Sequence, residues 1–186
     1  MMRVIAGTAR GRPLRAPAGT ATRPTSDRVR EALFSSLAPV VSGAQVLDLY
    51  AGSGALAIEA LSRGACNAVL AEIDAAAVSV IRANLRRAGV DDRATVRREP
   101  AARVCSDPPA RPFSLVLADP PYGEPLAAVW ECLARLHAAG GLASGCVVVV
   151  ERDRRDPGLA QPLPPFLAPD RRRPYGDTVL LYATVA

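Results

Sequence analysis

The chain has 186 residues, 49% of them hydrophobic, and a formal net charge of +5. That length suits one domain with a small appendage and is enough to bury a real core. No apolar run approaches the roughly 18 residues of a membrane span, and the polar, glycine-interrupted start excludes a signal peptide. A cytoplasmic protein without membrane contact is therefore expected.

In chain order, Arg3 to Gly7 and Arg12 to Arg15 read as two short strands around the turn-prone Thr8-Ala9-Arg10-Gly11. Pro13, Pro17, Gly19 and Pro24 break up the segment beyond them into an irregular arm. A helix is expected from Ser26, an acceptable N-cap with Asp27 in its first turn, and Pro39 should close it. Val29, Leu33, Phe34 and Leu37 fall on one face of that helix. Residues 1–42 thus form an accessory extension, and residues 43–186 the main domain.

Within the main domain, strands are expected over residues 45–50, 67–72, 94–98, 113–118 and 146–150. Helices are expected over 55–63, 75–88 and 126–138, the first two ended by Gly64 and Gly89. After Glu151 the helical signal stops, and Phe166-Leu167 and Thr178 to Thr184 look like a closing hairpin among proline-rich linkers. Alternating strands and helices of this length make an α/β fold with a doubly wound, mostly parallel sheet.

Charge placement says more than charge count. All basic residues are Arg, and Arg3, Arg10, Arg12, Arg15, Arg23, Arg28 and Arg30 stand in the first 30 residues against a single acid, Asp27. The rest of the chain is slightly acidic. Basic arms are often merely solvated, but arginine interleaved with Gly and Pro also suits a nucleic-acid phosphate backbone. The four cysteines, Cys66, Cys105, Cys132 and Cys146, lack the spacing of a zinc site or a disulfide framework. The one histidine, His137, ends a predicted helix, so neither a histidine metal centre nor a Ser-His-Asp triad is available. No metal is expected.

Asp48-Leu49-Tyr50-Ala51-Gly52-Ser53-Gly54 follows a strand and opens a helix. Glycines there let a ligand approach the backbone, and the helix N-terminus adds free N–H groups. The spelling also fits a dinucleotide fingerprint, with Glu72 as the acid for ribose hydroxyls. A nicotinamide pyrophosphate is anionic, however, and Asp48 would repel it. Asp48 suits a ligand bearing an ammonium and a sulfonium, which favours S-adenosyl-L-methionine. Tyr50, Ala51, Gly52, Ser53, Gly54 and Ile73 complete the expected cofactor set.

Asp119-Pro120-Pro121-Tyr122 ends an apolar strand. Two prolines can continue neither a strand nor a helix, so a turn is expected. A second copy of the core, Asp107-Pro108-Pro109, has no apolar run before it and reads as plain loop. Together with Arg3-Val4-Ile5-Ala6-Gly7, Arg10-Gly11-Arg12, Arg23-Pro24-Thr25-Ser26-Asp27-Arg28-Val29-Arg30-Glu31, the glycine loop and Glu59-Ala60-Leu61-Ser62-Arg63-Gly64, the tetrapeptide carries a resemblance. The chain resembles the RsmD-type small-subunit (16S) ribosomal RNA guanine-N2 methyltransferases almost end to end.

That resemblance implies the Class I S-adenosylmethionine-dependent methyltransferase fold, a Rossmann-like sheet of seven strands with the last antiparallel. It implies 16S ribosomal RNA as partner, free or within an assembled small subunit; a monomer is expected. It places the tetrapeptide beside the cofactor's methyl group. Asp119 and the Pro120 carbonyl would accept the two N–H bonds of the target amine, Pro121 would fix the backbone, and Tyr122 would stack on the flipped base. The family commonly carries an acid or amide followed by Ala after strand three, where this chain has Pro100-Ala101. The adenine contact would then rest on the Ala101 N–H or on Glu99. Adenine-N6 and protein-glutamine methyltransferases use related tetrapeptides. From other classes, a nicotinamide oxidoreductase and a non-catalytic RNA-binding module stand as alternatives.

Overall fold

A computed structural model describes residues 2–17, 27–107, 109–121 and 123–186. The expected contribution of Arg23, the Ser26 cap and the stacking role of Tyr122 lie outside the described residues.

Among the described residues seven strands form one sheet. They are β1 (Gln45–Leu49), β2 (Asn67–Ala71), β3 (Ala94–Arg97), β4 (Phe113–Ala118), β5 (Leu142–Asp153), β6 (Leu167–Tyr175) and β7 (Thr178–Val185). Their order is β3-β2-β1-β4-β5-β7-β6. The first five are mutually parallel, and β7 runs antiparallel to both neighbours. The order reverses between β1 and β4, which opens a crevice beyond the carboxyl ends of those strands. The helices are α1 (Asp27–Ser36), α2 (Ala38–Val41), α3 (Ala55–Ser62), α4 (Ala75–Ala88), α5 (Ala101–Cys105) and α6 (Leu126–Ala138). No helix among the described residues is long and apolar enough to cross a membrane.

Residues of one strand alternate between the two faces, so the sheet divides the core into two clusters. On one face Val46, Leu115, Leu117, Val149, Leu180 and Tyr182 meet α1, α3 and α4. On the other Leu47, Leu49, Val116, Val148 and Leu181 meet α5 and α6. Val4 and Leu14 from the N-terminal hairpin belong to the first cluster, beside Leu33 and Phe34 of α1. His137 lies in the last turn of α6, where its ring stacks on Phe166 at 4.6 Å.

Several local expectations change. Pro39 does not end a single long helix: α1 stops at Ser36, and Pro39 sits in the first turn of α2, where its missing N–H costs nothing. The N-terminal strands reduce to a bridge between Arg3 and Pro13 within a tight hairpin. The fifth strand is far longer than residues 146–150, because β7 pairs with it through Asp153. The hairpin partner runs through Tyr175 despite Pro169 and Pro174. Edge position explains this, since an edge strand bonds a neighbour on one side only. The short helix α5 is an addition to the expected elements, because so few residues carry no periodic signal.

Candidate active site

The site is built at the carboxyl ends of β1, β2 and β4. β1 delivers Asp48 as a buried residue, and the chain then turns at Tyr50, which has φ 63. A left-handed conformation is unusual for an aromatic residue and persists only where neighbours enforce it. Here the Ala51 N–H donates to the Ala71 carbonyl at 3.0 Å, and the Gly52 N–H donates to Glu72 Oε2 at 2.9 Å. Both bonds tie the loop to the end of β2. Glu72 also accepts the Asp74 N–H through Oε1 at 2.9 Å. A carboxylate has about four lone-pair sites, so room remains for hydroxyl donors.

Asp48 Oδ2 accepts the Ala57 N–H of α3 at 3.0 Å, while Oδ1 is buried without a partner among the described residues. Burial pushes its carboxyl pKa up to about 7; the Ala57 N–H opposes the shift and the charge of Glu72 adds to it. An unmatched buried carboxylate oxygen is costly unless a ligand supplies the cation or donor.

These groups line one cavity of about 490 Å³, within the range for small-molecule sites. Of the expected cofactor residues it gathers Asp48, Tyr50, Ala51, Gly52, Ser53, Glu72, Ile73 and Ala101. Asp119 and Pro121 line the same cavity, whereas Pro120 is buried and does not. The Asp119 N–H donates to the Leu49 carbonyl at 3.4 Å, so the segment after β4 is held against β1. The predicted turn is present, with the Glu124 N–H donating to the Pro121 carbonyl at 2.9 Å. Glu99, Pro100 and Ala101 also line the cavity, at the start of α5. Asp107 of the second Asp-Pro-Pro core instead lies outside it and pairs with Arg97 at 2.9 Å.

Gly54 does not line the cavity. A Cβ there would stand 3.3 Å from Ile81 Cγ2 and from Leu70 Cδ2, so the core beneath the loop excludes a side chain, not an approaching ligand. Arg30 departs further from expectation. It is 0% exposed and cannot meet an RNA backbone as an open surface cation. Its Nη2 donates to Asp27 Oδ1 at 2.9 Å and to the Arg3 carbonyl, and its side chain lines the cavity. Nε and Nη1 are buried without a partner among the described residues. Burial lowers its pKa, against the opposing charges of Asp27 and Glu59. No sequence spacing marks Arg30 for the cavity, because contact with the loop depends on how α1 packs. Arg3, Arg10, Arg12, Arg15 and Arg28 are exposed.

All four cysteines are free, and no cluster of His, Cys, Asp and Glu able to hold a metal occurs among the described residues.

A mostly parallel sheet whose seventh strand in chain order is antiparallel and inserted between β5 and β6, with a glycine loop after β1 and an acid after β2, defines a Class I S-adenosylmethionine-dependent methyltransferase. The family described as conserved hypothetical protein 95 matches residues 2–184. Ribosomal RNA small subunit methyltransferase D of Escherichia coli K12 is 39% identical over 152 residues, which cover 82% of this chain and 75% of that one. The chain belongs to this family of small-subunit ribosomal RNA methyltransferases. The solved structure of Escherichia coli yhhF is 33% identical, with TM-score 0.85 over 99% of this chain and 97% of that chain. An RNA methyltransferase from Salinibacter ruber, solved with S-adenosyl-L-homocysteine, shares the fold at 23% identity and TM-score 0.63, over 88% of this chain and 94% of that chain.

Proposed function

We propose that this protein uses S-adenosyl-L-methionine to methylate the exocyclic N2 of a guanine in 16S ribosomal RNA by direct in-line transfer. The observation that carries the reading is the single cavity shared by the glycine loop, Asp48, Glu72 and Asp119. Its unsatisfied groups fit the cofactor's amino-acid end. Among the described residues Asp48 Oδ1 lacks a partner and Arg30 lacks acceptors at two nitrogens, and an α-amino acid offers an ammonium and a carboxylate. Glu72 would accept the ribose hydroxyls, and the backbone at Ala101 would meet the adenine. When bound, the cofactor supplies a methyl group on a sulfonium.

A purine amine is a poor nucleophile, because its lone pair is delocalised into the ring. Accepting an N–H at Asp119 would hold the amine and favour a localised lone pair; the Pro120 carbonyl, expected to accept the other, belongs to a buried residue outside the cavity lining. Positioning and charge would then do most of the catalysis. Asp119 also suits guanine in particular. Guanine presents an N1–H donor beside its amine, whereas adenine presents an N1 acceptor that a carboxylate repels. The exposed Arg3, Arg10, Arg12, Arg15 and Arg28 would hold the RNA backbone, with Arg23 added from the same segment.

The test incubates purified protein and S-adenosylmethionine with small ribosomal subunits, and separately with free 16S RNA, from a strain lacking the modification. Mass spectrometry of digested RNA should find N2-methylguanine. N6-methyladenine alone would overturn the guanine assignment, and no methylated RNA with either substrate would overturn the RNA reading.

A further inference from the structure

We infer that the RNA-binding surface extends beyond the N-terminal arginines to the β6 edge of the sheet, where Arg154 and Arg173 contact RNA phosphates. This rests on the proposed action on ribosomal RNA. Strand register sets the distance between that edge and the site. Ala118, the last residue of β4, pairs with Val150, Val150 with Leu181, and Leu181 with Arg172. One residue further, Asp119 is level with Glu151, Leu180 and Arg173. Three strand spacings of about 4.8 Å put Arg173 roughly 14 Å across the sheet from the catalytic segment. That is well within the reach of an RNA strand whose target base enters the cavity.

Register also fixes the face. Cross-strand partners point to the same side, so Arg171 and Arg173 share the side of Tyr182 and Leu180. This is the side covered by α1 and the N-terminal hairpin. The Arg171 guanidinium lies 4.5 Å from the Tyr182 ring centroid, and Tyr182 Oη is 2.9 Å from Ser36 Oγ of α1. Arg172 points to the opposite side. Arg154 stands at the same rim, its N–H donating to the Asp177 carbonyl at 2.7 Å in the β6–β7 turn.

Charge separates these arginines from Arg152, Arg155 and Arg171, and the face of the sheet separates them from Arg172, which is likewise exposed and in no ion pair among the described residues. Asp156 holds Arg152, Asp153 holds Arg155 at 3.2 Å, and Asp170 holds Arg171 at 3.2 Å. Arg154 and Arg173 enter no ion pair among the described residues, and both are exposed. Guarding an edge strand against pairing is the competing use of charge there. Pro169 and Pro174 already interrupt that edge, so β6 has less need of charge to guard it.

The experiment measures binding of a small-subunit ribosomal RNA transcript across a salt series, for the full chain and for two variants. Arg154→Ala/Arg173→Ala should lower the log–log salt slope by about 0.7–0.9 for each phosphate no longer neutralised, with S-adenosylhomocysteine affinity and melting temperature unchanged. Arg172→Ala should leave the slope as it is. A double variant with the wild-type slope, or an equal fall for Arg172→Ala, overturns the surface and leaves the arginines as edge guards. A wild-type protein that binds no ribosomal RNA overturns the underlying reading, and this surface with it.

Discussion

Asp48 combines an opportunity for binding with a cost to stability. Its folded pKa of about 7 lies above the ordinary carboxylate value, so the native state holds more protons than the unfolded chain between roughly pH 4 and 7. Stability from this group is full below that window and is lost as pH rises through it. Asp48→Asn keeps the acceptor for the Ala57 N–H and removes the buried charge. It should therefore raise the melting temperature of the ligand-free protein at pH 8, with the gain vanishing near pH 4, while cofactor affinity falls. In the unsubstituted protein a cationic ligand selects the ionised carboxylate. Calorimetry should find affinity falling about tenfold per unit below pH 7 and protons released on binding near neutrality. Equal affinity at pH 5.5 and pH 8 would remove Asp48 from the ammonium site. At Asp119, replacement by Ala should cut turnover by about two orders of magnitude or more. Cofactor affinity should barely change, and near-normal turnover would refute the acceptor role.

One element, the N-terminal hairpin, owes its place to α3. Glu59 of α3, 1% exposed, accepts the Ile5 N–H at 2.7 Å and the Ala6 N–H at 3.0 Å. Ser62 Oγ accepts the Ala9 N–H at 2.9 Å, and the Ser62 carbonyl accepts the Thr8 N–H at 2.8 Å. Gly7 is required for this approach: it has φ +83, and a Cβ there would fall 1.8 Å from the Ser62 carbonyl oxygen. The Val-Ile-Ala-Gly and Glu-Ala-Leu-Ser segments are thus two halves of one contact. On α4, Asn84 adds a second tie, donating to the Ser53 carbonyl at 2.9 Å and the Arg15 carbonyl at 2.8 Å. The glycine loop and the basic arm share that one amide. Gly7→Ala should force the hairpin off α3 and cost about 2 kcal/mol or more of stability. Hydrogen exchange should show reduced protection at Ile5 and Ala6; unchanged protection would contradict the docking account.

Across the whole molecule, the basic extension and the catalytic sheet share one core. Val4, Ala9 and Leu14 are buried against it, each Val or Leu side chain contributing about 1.5–3 kcal/mol. Removing residues 1–15 should therefore lower the melting temperature sharply as well as weaken RNA binding. Charge reversal in the full chain separates the two effects. Arg10→Glu/Arg12→Glu should reduce RNA affinity and its salt dependence with little change in melting temperature. A matching loss of stability would mean that these arginines serve packing.

The sequence by itself determined the elements whose signals are local. Apolar runs bounded by Gly54, Gly64 and Gly89 marked out β1, α3, β2 and α4 nearly to the residue, because turn chemistry and periodicity act between near neighbours. Asp48, Glu72 and Asp119 were legible as candidates for the cavity too, since each acid stands at or just past a strand end. Only the tertiary structure decided what depends on distant packing. It placed Arg30 in the cavity wall, turned Gly54 toward Ile81 and Leu70, and extended β5 and β6 through pairing with β7. An arginine on α1 has the same local pattern whether it faces water or a loop. Its desolvation, and so its role, is set by segments far away in the chain.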